Sequence, residues 1–66
     1  MLEDGDVVKY KHYPAGKILV GIICILRFQG GALYRVRYVS TPNNVHSEID
    51  YSNSYTLEDD WDVSNV

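Results

Sequence analysis

Two apolar stretches, Lys17 to Phe28 and Ala32 to Ser40, joined across Gln29-Gly30-Gly31, constrain this chain more than any other feature. Both are rich in β-branched and aromatic residues, and neither shows the i, i+3, i+4 spacing of an amphipathic helix. The longest apolar run, Ile18 to Leu26, is broken only by Gly21 and is less than half the ~20 residues a membrane-spanning helix needs. The pair reads as a β-hairpin whose first strand is long enough to bend at Gly21.

Because side chains alternate faces along a strand, the length of the turn decides which residues share a face. A two-residue Gly30-Gly31 turn sets Leu26 against Arg35 and Cys24 against Arg37, which forces cations onto an apolar face. A three-residue loop, Gln29 to Gly31 with Gly31 in the left-handed conformation, sets Leu26 against Tyr34, Cys24 against Val36 and Ile22 against Tyr38. This second register gives one wholly apolar or aromatic face. Its reverse carries Ile23, Ile25, Arg27, Leu33, Arg35 and Arg37, so the expectation is that Ile22, Leu26 and Val36 are buried and the arginines point outward.

Breakers at Gly5, Pro14 to Gly16, Gly30-Gly31 and Thr41 to Asn44 divide the rest of the chain into runs of strand length. Asp6 to Tyr13, where Val8, Tyr10 and His12 alternate with Lys9 and Lys11, reads as a half-buried first strand. A short strand is expected within Val45 to Tyr51, a single helical turn at Tyr55 to Asp59 that tucks Leu57 into the core, and a closing strand at Trp61 to Val63. The sum is one small all-β domain over residues 1–66, with five strands and a short helical turn before the last. A domain of this size buries only ~60% of the surface its unfolded chain exposes. With a single cysteine there is no internal disulfide to help.

These pieces resemble the SH3-like small β-barrels, including the Tudor and KOW modules. The resembling segments are Gly5-Asp6-Val7-Val8, Gly21-Ile22-Ile23, Tyr34-Arg35-Val36-Arg37-Tyr38 and the Leu57-Glu58-Asp59-Asp60 turn. The resemblance implies a closed five-stranded barrel in which the first and last strands are neighbours. It implies no particular role, because this fold hosts many.

Net charge is −3, but the six cations all lie between Lys9 and Arg37 and the nine acids all lie outside that window. Four functional surfaces follow. An apolar patch rimmed by arginine, built from Ile23, Ile25, Arg27, Leu33, Arg35 and Arg37, has the composition of a protein interface, for a protein partner or for self-association as a homodimer. The arginines and lysines could instead bind nucleic acid, the less favoured alternative. The acids Glu3, Asp4, Asp6, Asp59, Asp60 and Asp62, brought together by neighbouring end strands, could mimic nucleic-acid phosphates. Tyr13, Tyr51, Tyr55 and Trp61 at strand ends could cage a methylated ammonium, although aromatics in a small core more often plug its ends.

No catalytic, metal-binding or cofactor motif is present. His12 and His46 lack zinc-site spacing, and Cys24 falls on the expected inner face. With acids at Glu3 and Asp4 where a secretion signal carries cations, a cytoplasmic location is expected. The expected function is that of a non-catalytic accessory or inhibitor protein of a bacterium or phage, a class in which small free-standing chains are common.

Overall fold

The computed structural model describes residues 2–14, 19–40 and 43–64. They form strands β1 (Val7–Tyr10), β2 (Leu19–Phe28), β3 (Gly31–Ser40) and β4 (Val45–Tyr51), then helix α1 (Ser54–Asp60) and strand β5 (Trp61–Val63). All pairings are antiparallel and the strand order is β4-β3-β2-β1-β5. The described residues are thus all-β apart from one helix, in line with the strand-length apolar runs of the sequence. Lys17 and Ile18, the expected start of the second strand, lie outside the described residues.

Among the described residues the sheet is open, with β4 and β5 as its two edges, which differs from the closed barrel expected from the sequence. The three residues of β5 are fully engaged by β1, through Val8↔Val63, Lys9↔Asp62 and Tyr10↔Trp61. The first and last strands are neighbours, as expected. What spans the gap between the edges is side-chain packing, with α1 lying between β4 and β5 in sequence.

The hairpin register differs from the expected one by a single residue. The turn is Gln29-Gly30 alone, with Gly30 at φ +97, and Gly31 is already paired with Phe28. Ile23 therefore faces Val36, Ile25 faces Tyr34 and Gly21 faces Tyr38. A one-residue slip exchanges the faces of a whole strand. Ile23 is buried, at 2% exposure, and Ile25 packs against the core, whereas Ile22 and Leu26 are exposed on the other side. Val36, Arg35 and Arg37 keep the faces expected of them, because only β2 is reversed.

The core gathers on one face of the sheet: Val8, Leu19, Ile23, Val36, Leu57 and Trp61, with Leu2, Tyr10, Tyr13, Ile25, Tyr34, Tyr38 and Tyr51 around them. Asn53 starts α1 by accepting a 3.0 Å bond from the Thr56 N–H. This N-cap satisfies an otherwise orphaned donor. The last turn of α1 carries Glu58, Asp59 and Asp60, which oppose the negative end of the helix dipole. Lys11 and His12, just after β1, offset this: Lys11 Nζ donates to the Glu58 carbonyl at 2.7 Å, and His12 Nε2 lies 3.1 Å from the Asp59 carbonyl. So held, α1 delivers Leu57 to the core at 1% exposure.

Candidate functional site

Strands β2, β3 and β4 build the face of the sheet opposite the core in three rows, and the turn residues Asp4 and Gly5 border it. Down β2 run Ile22, Cys24, Leu26 and Phe28; Ile22 is 53% and Phe28 61% exposed. Beside them on β3 stand Arg37 opposite Ile22, Arg35 opposite Cys24, and Leu33 opposite Leu26. On β4, Asp50 faces Arg35 and Glu48 faces Arg37. Part of this surface forms an open groove of about 800 Å³ whose lining includes Ile22, Cys24, Arg37, Val39, His46 and Glu48.

Neither Arg35 nor Arg37 is a free charge. Arg35 donates from Nε to Asp50 Oδ1 at 2.7 Å and from Nη2 to Asp50 Oδ2 at 3.2 Å, a bidentate pair. This bond raises the Arg35 pKa and holds the Asp50 carboxyl below its usual range. Glu48 lies 3.8 Å from Arg35 Nε and 3.7 Å from Arg37 Nε. The Arg-x-Arg of β3 is thus matched by the Glu-x-Asp of β4, a period-two opposition of charge that is visible in the sequence once the two strands are known to be adjacent.

Of the six residues expected at a partner surface, the structure exposes Arg27 and Arg37, leaves Leu33 and Arg35 half-buried on the outer face, and removes two. Ile23 and Ile25 belong to the core side, and Ile22, Cys24, Leu26 and Phe28 take their place. Arg27, opposite Ala32 near the hairpin tip, shares the parity of Ile23 and so leaves the arginine row. Cys24, expected inside, is a half-buried free thiol on the outer face.

Of the four aromatics considered for a cage, Tyr13, Tyr51 and Trp61 gather at the core and Tyr55 stands apart. Trp61 is buried, with Tyr10 edge-on at 5.2 Å and Tyr38 tilted at 5.7 Å between ring centroids. Tyr51 spends its hydroxyl on Trp61 and Asp60, Tyr13 packs on Tyr10, and Tyr55 is 79% exposed on α1. Apart from Tyr55, these rings finish the core, the use that a small core makes of aromatics.

The two ends of the chain meet, with Leu2 N–H donating to Glu58 Oε2 at 3.2 Å. Most of the acids there are engaged locally. Asp4 Oδ1 accepts from the Ile25 N–H, Asp6 Oδ2 from the Glu3 N–H, Asp62 lies 3.7 Å from Lys11 Nζ, and Asp60 lies 3.1 Å from His12 Nε2. Both neighbours of His12 Nε2, a carbonyl and a carboxylate, are acceptors, so this nitrogen carries the proton and donates it. Among the described residues no cluster of His, Cys, Asp or Glu could hold a metal ion, and no helix is long and apolar enough to cross a membrane. No protein-family model matches the chain, and comparison with curated proteins and with solved structures finds no significant match.

Proposed function

We propose that the chain is a small non-catalytic binding module that docks a protein partner through the outer face of β2 and β3, as an accessory or inhibitor protein of bacterial or phage type. The observation that carries this reading is the uncovered apolar row Ile22, Leu26 and Phe28, flanked by arginines that already have acidic partners. Exposed apolar groups beside internally neutralised charge suit a partner surface of aliphatic and aromatic side chains. They suit a phosphate backbone poorly, since a nucleic acid would have to displace Asp50 and Glu48. The same neutralisation, together with the local engagement of Asp4, Asp6, Asp60 and Asp62, weighs against a phosphate mimic.

We also read the sheet as an opened form of the SH3-like barrel. Supporting this are the β1-to-β4 meander, β5 beside β1, the glycine in mid-β2 and the helical turn just before β5.

The test pairs capture with variants. A protein retained from lysate by the wild type should be lost, or bound ~10–100-fold more weakly, by the double variant Ile22→Ser, Leu26→Ser, since their exposed parts together amount to about one side chain still to be buried, ~1.5–3 kcal/mol. Binding should change little with salt. Equal capture by the double variant would move the site off this face, and retention of nucleic acid that vanishes at moderate salt would replace the reading with the electrostatic one.

A further inference from the structure

The two edges of the sheet are unequal. The edge strand β5 has three residues, but β4 has seven, and among the described residues nothing pairs with it on the side away from β3. Alternate residues of an edge strand turn their N–H and C=O groups outward, where they template the addition of another strand. Among the described residues, 45–51 make no backbone hydrogen bond outside the β3 ladder.

Natural edges are usually protected by a proline, by charged side chains, lysine above all, or by a bulge. Val45–Tyr51, VHSEIDY, contains neither proline nor lysine, its two acids Glu48 and Asp50 are paired with Arg35 and Arg37 of β3, and its ladder with β3 runs unbroken from Val45↔Ser40 to Tyr51↔Tyr34. All of its side chains but Tyr51 are exposed, including Val45 at 55% and Ile49 at 38%.

We propose that β4 pairs antiparallel with β4 of a second copy about a two-fold axis at Ser47, joining two sheets into one of ten strands. A two-fold axis relating antiparallel edge strands must be perpendicular to the sheet, so residues of like parity face each other and the contact is isologous. Three registers overlap by five residues or more, and side-chain chemistry separates them. An axis at Ile49 sets Glu48 against Asp50 twice. An axis at Glu48 sets that carboxylate against itself. An axis at Ser47 sets His46 against Glu48 of the second copy and Val45 against its Ile49, each twice by symmetry, with Ser47 facing Ser47. Only this third register is free of like-charge pairs, which are destabilising when directly opposed.

The contact is separate from the outer-face docking proposed above, and the experiment keeps the two apart. Sedimentation of the wild type at high micromolar concentration should show a monomer–dimer equilibrium. Ser47→Lys places two ammonium groups at the axis and should weaken it ~10-fold or more. Ile22→Ser should leave the association constant unchanged. In a Cys24→Ala background, Ser47→Cys should form a symmetric disulfide dimer under mild oxidation, faster than Glu48→Cys or Ile49→Cys. Directly opposed Cα atoms lie ~4.5–5.5 Å apart across an antiparallel pair, within the range a disulfide spans. A monomer at every concentration, an association indifferent to Ser47→Lys, or fastest cross-linking at residue 48 or 49 would each overturn the proposal. The cross-linking comparison stands even if the lysine variant fails to fold.

Discussion

Gly21 shows how tightly single positions are held. A Cβ added there would lie 2.6 Å from Val36 Cγ1, 2.8 Å from the Arg37 carbonyl oxygen and 3.0 Å from Tyr38 Cβ. The Arg37 oxygen is backbone, fixed in the β2–β3 ladder, so the methyl group can be accommodated only by parting the strands. Gly21→Ala should therefore lower stability by about 1–3 kcal/mol, the usual cost of overpacking, seen as a lower urea midpoint. An unchanged midpoint would mean that β2 and β3 are less closely apposed here than the structure has them. The glycine stands out in the sequence as a break in an apolar run. Its reason does not, because Val36 and Tyr38 become its neighbours only once the register is set. Gly30 is the opposite case: its φ of +97 is a local demand of the turn, and a glycine pair at that point announces it.

At the scale of elements, legibility follows how local the deciding physics is. The region of β4, the closing strand β5 and the helical turn carrying Leu57 are readable because local patterning marks each within a few positions. The face of β2 is not readable in this way. Leu19 to Phe28 is apolar on both faces, so alternation alone cannot orient it, and placing Arg35 beside Cys24 looks costly until β4 supplies Asp50. A charge pair formed with a strand fifteen residues away thus permits a register that local patterning rejects. For the same reason the sequence pattern places the outward residues of β3 as the structure has them and those of β2 on the opposite face. For α1 the deciding contact is local, and it can be tested alone. Asn53→Ala removes the acceptor for the Thr56 N–H and should cost about 1 kcal/mol, whereas Asn53→Asp, an equally good N-cap, should retain most of the stability. Equal losses from both substitutions would show that the cap is not what holds the helix.

For the whole molecule, the question is what keeps an open sheet curled over so small a core. β4 and β5 are the opposite edges of the sheet, yet Tyr51 at the end of one reaches the start of the other. Its hydroxyl donates to Asp60 Oδ2 at 2.9 Å and accepts from Trp61 Nε1–H, also at 2.9 Å. His12 on Asp60 extends the chain of bonds to the segment after β1. This clasp substitutes side chains for the missing backbone ladder between the edges. Burial, together with the adjacent Asp60 carboxylate, pushes the Tyr51 pKa up from 10.0 to about 12. The folded state therefore holds the phenol proton more tightly than the unfolded chain does, so this contribution to stability is complete below pH 10 and is lost as pH rises through about 12. Ionised Tyr51 would set a phenolate against a carboxylate and open the clasp. Tyr51→Phe should cost about 1–3 kcal/mol at neutral pH, since the Trp61 N–H is left without its acceptor. The wild type should then lose its advantage over the variant as pH rises from 10 toward 12, when urea midpoints of the two proteins are compared across that range. A difference between the two that stays constant with pH would mean that the hydroxyl stabilises the fold without being the proton-linked clasp between its edges.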